Sequence, residues 1–287
     1  MKKNYLPTNI VNLIIQFIAE KREHIDLKTK FPNALLRADV LDLLDMYCTV
    51  IYYPLENESN NGFHITGIVD KKGNEKHFVY INTNQTIEKQ IFTAAHELGH
   101  VWEVDSFVLN NLDCNIGEFD NEDIINRFAA ELLMPYEQFL AVFENEYQNH
   151  KSEDGKVSLS GVLNIIATIM NQFLVPQKAV VCRLFELGII NKKTLELLLG
   201  EAFISEEDIT KYIISIMREN GHDRFFKPTH KKHIDGLARL LEIAEKNETL
   251  SPRKIEKIRQ TFDLPRKQCT EDSLDGIIDV TTSGGEK

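Results

Sequence analysis

Two histidines bracket a glutamate in the segment His96-Glu97-Leu98-Gly99-His100, which lies within an apolar pattern typical of a helix. Residues four apart lie on one helix face, so both imidazoles can point at one metal ion. Glu97 then lies beside the ion, where its carboxylate can accept a proton from water that zinc has acidified. The spacing predicts a zinc hydrolase site in which His96 and His100 bind the metal and Glu97 is the general base.

The helix that carries this segment has an apolar stripe separate from the two histidines. The members of this stripe recur at helical spacing and are Ile87, Ile91, Ala94, Ala95, Leu98 and Trp102. Two histidines alone on a polar helix face are more often solvated or hydrogen-bonded than bound to metal. The glutamate between them favours the metal site.

A third zinc ligand must come from elsewhere in the chain, because a catalytic zinc ion takes three protein ligands and keeps one position open. A second helix is predicted to run from Glu122 to Pro135, where the proline ends it. Glu122 is the preferred ligand, and Asn126 shares its face one turn later and could orient a ligand. The alternative carboxylates are Glu103, Glu118, Asp120, Asp123 and Glu131.

A small sheet is predicted before the zinc helix. Its three β-rich runs are Cys48 to Tyr53, Phe63 to Val69 and His77 to Ile81, separated by turn signals at residues 60–62 and 71–74. An antiparallel meander is the simplest arrangement. The predicted fold class is α+β, with a small antiparallel or mixed sheet, a zincin-like His-Glu-x-x-His helix and an all-α C-terminal region.

The C-terminal region is predicted to consist of amphipathic helices. They are Thr194 to Gly200, Glu206 to Glu219, His230 to Lys246 and Pro252 to Phe262. His230 and His233 lie three apart, but they have no carboxylate or cysteine partner, so a solvated basic cluster is expected there.

Composition limits the classes of partner. The 287 residues carry a net charge of −11, and both halves of the chain are acidic, so no direct contact with nucleic acid is expected. No run approaches the roughly 20 apolar residues of a membrane span, so no membrane partner is expected. The four cysteines form no C-x-x-C pair, which predicts reduced cysteines and a cytoplasmic protein.

The runs Glu88 to Trp102 and Glu122 to Pro135 resemble the two motifs of the ImmA/IrrE family of metallopeptidases. The motifs are F-T-x-A-H-E-L-G-H and E-x-x-x-N-x-F-A-A-x-L-L-M-P, and both are almost intact here. Ile125 departs from the pattern, since the family usually has a small alanine before the asparagine. The departure removes no ligand.

Carried over by position, the resemblance implies that His96, His100 and Glu122 bind Zn²⁺ and that Glu97 is catalytic. It covers residues 35–195. The expected organisation is therefore a peptidase domain over 1–195, with its core at about 35–195, and a helical C-terminal domain of unknown role over 196–287.

The resemblance further implies a zinc-dependent endopeptidase whose protein substrate is a separate helix-turn-helix transcriptional repressor, in a mobile element or a stress response. The substrate is expected to lie extended along an edge strand, for which His77 to Asn82 is the candidate. One alternative is a zinc-stabilised regulatory module that sequesters a partner protein without cleaving it. Another is hydrolysis of a small amide.

The segment Ile165 to Ile190 could be read as a helix-turn-helix that binds DNA. It lacks a basic recognition face, so packing on the peptidase core is the preferred interpretation.

Overall fold

The computed structural model describes residues 6–29, 35–57, 60–69, 73, 75–112, 120–201, 205–222 and 225–265. By its internal contacts the chain divides into two units, Met1–Asp235 and Gly236–Lys287. The first unit contains the sheet and the helices that carry the predicted site.

Twelve helices and four strands make up the regular structure of the described residues. The helices are α1 Thr8–Thr29, α2 Asp39–Tyr47, α3 Ile87–Val101, α4 Val104–Asn110, α5 Asn121–Leu133, α6 Tyr136–His150, α7 Leu159–Phe173, α8 Gln177–Glu186, α9 Lys192–Leu198, α10 Glu206–Glu219, α11 Leu237–Lys246 and α12 Pro252–Thr261. The strands are β1 Thr49–Tyr53, β2 Gly62–Val69, β3 Glu75–Asn82 and β4 His233–Ile234. The predicted α+β class is confirmed, and the protein is mostly helical.

The sheet is mixed, with strand order β2-β3-β1-β4. Strand β2 pairs with β3 in antiparallel orientation, whereas β1 pairs with β3 in parallel and with β4 in antiparallel orientation. A mixed sheet was one of the two arrangements expected. The simple antiparallel meander is wrong, because β3 lies between β1 and β2.

A buried asparagine explains this strand order. The connection from β1 to β2 crosses the end of β3, where the side chain of Asn82 donates to the carbonyls of Asn57 and Asn60 at 3.2 and 2.7 Å. Its Oδ1 accepts from the backbone N–H of Leu55 at 3.0 Å. Asn82 is fully buried, and its bonds satisfy loop groups that would otherwise lose hydrogen bonds to water. These contacts hold the connection over β3, and the chain then forms the β2–β3 hairpin.

The position of the edge strand also differs from the expectation. The run His77 to Asn82 was the candidate edge, but it lies within β3, an interior strand whose Val79 and Ile81 are fully buried. Among the described residues, β2 and β4 form the two edges. β4 covers β1, so β2 is the edge nearest to α3.

Helix α3 packs on this sheet through the predicted apolar stripe. Ile91, Ala94, Ala95 and Leu98 are fully buried, and α5 packs against α3 with Phe128 and Ala129 equally buried. Gly99 of α3 marks the close approach, because a Cβ there would lie 2.9 Å from Cδ1 of Phe128. The two helices that carry the family motifs are therefore in direct contact.

The first unit continues past residue 195. Helix α10 packs on α7, and β4 joins the sheet, so the unit ends at Asp235. The described part of the chain after 195 is helical except for β4. The predicted helix from His230 is wrong over its first residues, because β4 is extended there and α11 begins at Leu237. The domain boundary at 195 stays a prediction.

Within the residues that the structure describes, no single helix has the length and apolar composition needed to cross a membrane. Helices α7 and α8 meet these criteria only as a pair bent by 108°.

Candidate metal centre

Three side chains from two helices converge at one point. The ligand atoms of His96, His100 and Glu122 all lie within 4.8 Å of one another. Nε2 of His100 is 3.3 Å from Nε2 of His96. Oε2 of Glu122 is 3.2 Å from Nε2 of His96, and Oε1 of Glu122 is 3.4 Å from Nε2 of His100. The structure thus brings together the three residues predicted as ligands.

The separations of these ligand atoms match those at a zinc site. Bonds of about 2.0–2.1 Å at a tetrahedral ion separate the ligand atoms by about 3.3–3.4 Å. The two imidazole nitrogens are 3.3 Å apart, and each lies 3.2–3.4 Å from one oxygen of the Glu122 carboxylate. Two imidazole nitrogens and one carboxylate are also a donor set that zinc accepts in hydrolases. The residues present therefore fit the ion.

Helix geometry and a cap place the three side chains. The one-turn spacing of His96 and His100 on α3 directs both rings the same way. Glu122 lies in the first turn of α5 because Asp120 caps that helix, its Oδ1 accepting from the Glu122 backbone N–H at 3.1 Å. Asp120, a rival ligand by sequence, is thus a capping residue.

The remaining rival carboxylates lie outside the cluster, as far as the described residues show. Glu131 is paired with Arg183 at the other end of α5. Glu103 precedes α4 in a left-handed conformation. Neither it nor Asp123 belongs to the group of converging ligand atoms. Glu118 lies outside the described residues.

Asn126 contacts His96 at Nδ1, the ring nitrogen that is not part of the cluster. Its Oδ1 lies 3.1 Å from Nδ1 of His96. When Nδ1 carries the proton and donates it to this oxygen, the lone pair of the neutral ring is on Nε2, which faces the cluster. Burial, together with the neighbouring His100, lowers the pKa of His96, which favours this neutral form. The structure shows the contact that the sequence suggested for Asn126.

Glu97 is buried beside the cluster, with 5% of its surface exposed. Burial, with the charge of Glu122 adding to it, raises the pKa of Glu97 to about 7. A carboxylate in this environment is well matched to proton transfer near neutral pH.

A cavity of about 410 Å³ opens over these residues. It is lined by His96, Glu97, His100 and Glu122, and also by three residues of β2, namely Gly62, Phe63 and His64. Sequence reasoning missed the three β2 residues. Gly62 follows two asparagines, which is typical of a turn, but it is the first residue of β2. It also lies close to α3, because a Cβ at this position would be 2.5 Å from Cγ2 of Thr93.

His64 is held by a second histidine. Its Nε2 lies 2.9 Å from Nδ1 of His77 on β3, and the two rings stack with centroids 5.0 Å apart. The ring of His64 is also 6.3 Å from that of His100. No sequence signal linked these histidines, because their contact depends on the β2–β3 register.

The other candidate residues of the sequence have different contacts. His233 is in β4, and the backbone of His230 donates to the carbonyl of Thr83. Among the described residues, neither histidine belongs to a group of side chains that could hold a metal ion. In the segment once considered for DNA binding, Ile165 and Ile169 of α7 are buried in the core.

Comparisons with known proteins agree with the motifs. Residues 45–185 match the family model of the IrrE N-terminal-like domain, Peptidase_M78. Among solved structures, a Mycobacterium tuberculosis transcriptional regulator matches with 14% sequence identity and a TM-score of 0.38, over 62% of this chain and 52% of that chain. The chain thus spans about half the length of that regulator. No curated protein matches the chain.

The matched residues include α3 and α5, with the three residues of the cluster and the adjacent Glu97, and the match suggests a metallopeptidase that uses a metal ion. Residues 45–185 of this chain therefore match the IrrE N-terminal-like domain, in agreement with the resemblance to the ImmA/IrrE family.

Proposed function

We propose that the protein is a zinc-dependent endopeptidase in which His96, His100 and Glu122 hold the zinc ion and Glu97 is the general base. The observation that carries this proposal is the convergence of three ligand side chains beside a buried glutamate, in a cavity bordered by an edge strand. A purely structural zinc site would be closed by a fourth protein ligand, whereas this one opens on a cavity.

In the proposed mechanism the zinc ion activates the reactants, and Glu97 transfers the proton. Zinc bound at the three ligands would polarise the scissile carbonyl and acidify a water molecule. The Glu97 carboxylate accepts a proton from water as the water oxygen bonds to the carbonyl carbon. Glu97 then passes this proton to the amide nitrogen as the carbon–nitrogen bond breaks, which leaves a carboxyl group and an amine.

The substrate is proposed to bind as an added strand along β2. The opposite edge of the sheet is covered by β4, whereas β2 brings Gly62, Phe63 and His64 to the cavity. An extended peptide paired with this strand would place one of its carbonyl groups over the cluster. Phe63, with 41% of its surface exposed, offers an apolar contact to a substrate side chain.

The proposed substrate class is a separate helix-turn-helix repressor, and the proposed location is the cytoplasm. The substrate class rests on the family resemblance, and the location rests on the cysteine and hydropathy patterns of the sequence. Cleavage of a repressor would relieve repression of its target genes.

The test compares the zinc-loaded wild type with Glu97→Gln, using as substrate a repressor encoded next to the gene. The glutamine keeps the shape of the side chain but cannot accept the proton, so cleavage should fall by at least about 100-fold while zinc content stays the same. Glu137→Gln, an exposed change on α6, is the matched control and should cleave like wild type. Equal cleavage by wild type and Glu97→Gln would overturn the assignment.

The sequestering module makes the opposite prediction. In that case Glu97→Gln would relieve repression as fully as wild type in a reporter assay, and the repressor would stay intact in both.

A further inference from the structure

Among the described residues that line the cavity, His64 has the one polar side chain without a role in the proposed mechanism. Three of the lining residues are the proposed zinc ligands and a fourth is the general base. Of the other three, Gly62 and Phe63 have no side chain that can donate a hydrogen bond. His64 is half-buried on β2, with its ring centroid 6.3 Å from that of His100. Its imidazole is therefore close to where a substrate carbonyl would be held.

The ring of His64 is fixed by its neighbour on β3. His64 is in register with Val79, so His77, two residues earlier, lies on the same face of the sheet at a diagonal position. The two rings lie within 25° of parallel, with Nε2 of His64 2.9 Å from Nδ1 of His77. When His77 donates from Nδ1, the neutral ring of His64 carries its own proton on Nδ1 and remains a donor.

Peptide hydrolysis needs such a donor. Negative charge develops on the carbonyl oxygen as water adds to the carbon, and a donor already in position stabilises this charge without reorganising. Removing one donor of this kind from a hydrolase typically lowers kcat by about 10²–10³-fold.

We propose that His64, positioned by His77, donates a hydrogen bond to the carbonyl oxygen of the scissile peptide bond as the tetrahedral species forms. This role rests on the proposed endopeptidase function. His64 is then a catalytic residue, because it touches the reacting oxygen, and His77 is a positioning residue.

The probe is a library of quenched fluorescent octapeptides, from which the peptide that zinc-loaded wild type cleaves fastest is chosen for kinetics. His64→Ala should lower kcat by about 10²-fold or more, with KM and zinc content unchanged. His64→Gln keeps an amide donor and should recover part of the lost rate. Glu137→Gln, the exposed change on α6, is the control and should match wild type.

The positioning role of His77 is tested by measuring kcat in single and double variants. His77→Ala should lower kcat less than His64→Ala, and it should have little further effect when His64 is already alanine. Two additive losses would show that His77 acts independently and would overturn its assigned role.

A tetrahedral analogue separates transition-state stabilisation from substrate binding. The chosen peptide, with a phosphonate in place of its scissile amide, should bind His64→Ala more weakly than wild type by about the factor lost in kcat/KM. The unmodified peptide should bind Glu97→Gln and the double variant His64→Ala/Glu97→Gln equally well. Loss of both affinities would indicate ordinary substrate contact and would overturn the proposal.

Two further results distinguish a failure of the His64 role from a failure of the endopeptidase function. If wild type cleaves the peptide and both His64 variants cleave it at the wild-type rate, or lose their zinc, the role of His64 is wrong while the endopeptidase function stands. If wild type cleaves no more peptide than Glu97→Gln, the endopeptidase function is wrong and the role of His64 falls with it.

Discussion

Oδ1 of Asn126 on α5 lies 3.1 Å from Nδ1 of His96 on α3, so the helix that supplies the third proposed ligand also orients the first. Glu122 and Asn126 are one turn apart, and both side chains reach across to α3. The tautomer of His96 and the position of Glu122 therefore depend on one helix–helix contact. Hydrogen-bond partners of this kind fix the direction of a ligand ring and raise its basicity.

Replacing Asn126 by alanine should weaken zinc binding by about 10–100-fold, because His96 loses the acceptor that keeps the proton on Nδ1. Zinc affinity would be measured by competition with a chromophoric chelator at fixed pH. Asn126→Asp keeps an acceptor oxygen and should retain more affinity than the alanine variant. An unchanged zinc affinity in Asn126→Ala would show that the hydrogen bond does not orient the ligand.

Gly99 and Ile125 are predicted to be coupled across the contact between α3 and α5. A Cβ at residue 99 would lie 2.9 Å from Cδ1 of Phe128 and 3.2 Å from Cγ2 of Ile125. Gly99→Ala should therefore destabilise the protein by about 1–3 kcal/mol through overpacking. Ile125→Ala alone should cost about 2–5 kcal/mol, because the fully buried side chain leaves a cavity.

The double variant tests the coupling of these two sites. With Ile125 shortened, the new methyl group at residue 99 partly fills the cavity. The double variant should therefore lose less stability than the sum of the losses in the two single variants. Free energies of unfolding from urea titration would measure this. Strict additivity would mean that the isoleucine, at a position where the family usually has alanine, does not restrict residue 99.

Local periodicity accounts for what the sequence could predict of the site. The one-turn spacing of His96 and His100 and the apolar stripe of α3 are properties of a single helix, so they can be recognised without knowing the fold. Asp120 was predicted only as a rival ligand, because its carboxylate suits a metal ion and a helix cap equally well. The contact of α3 with α5 was expected from the need for a third ligand, and the family resemblance supported Glu122 as that ligand.

The contribution of β2 could not be predicted, because it depends on long-range pairing. The order of the strands is set by the crossing connection that Asn82 holds, and three short β-rich runs fit a meander equally well. His64 and His77 meet only in that register. Gly62 looks like a turn glycine in the sequence, whereas its role is the close approach of β2 to α3.

Gly62→Ala should lower both stability and activity. The added Cβ would lie 2.5 Å from Cγ2 of Thr93 and 2.7 Å from the backbone oxygen of Tyr80, so β2 must move. We expect a loss of about 1–3 kcal/mol in the free energy of unfolding and a fall in peptide cleavage of at least about 10-fold. Urea titration and the octapeptide assay would measure the two effects.

A second substitution separates the two clashes at this position. Thr93→Ser removes the methyl group but leaves the carbonyl of Tyr80, so adding it to Gly62→Ala should recover part of the lost stability. If Gly62→Ala is as stable and as active as wild type, the close approach of β2 does not constrain the site.

A buried group of charges is predicted to stabilise the opposite end of α5. The Arg183 side chain on α8 is fully buried and donates to both carboxylate oxygens of Glu131 at 2.6 and 2.5 Å. Arg127 contacts the same carboxylate at 2.7 Å. Arg183→Met should cost about 3–5 kcal/mol, because removing one partner leaves a buried carboxylate with part of its compensation lost.

Arg183→Met should lower the free energy of unfolding without changing the metal centre, because Glu131 lies more than two helical turns from Glu122. The folded fraction of Arg183→Met should therefore bind zinc with wild-type affinity while its urea midpoint falls. Adding Glu131→Leu removes the buried charge left behind, so the double variant should be more stable than the sum of the single losses predicts.

Lys211→Met, which breaks the exposed Lys211–Glu207 pair on α10, should leave the midpoint unchanged because solvent screens that pair. Equal effects of the buried and exposed changes would show that burial does not strengthen the Arg183 contact.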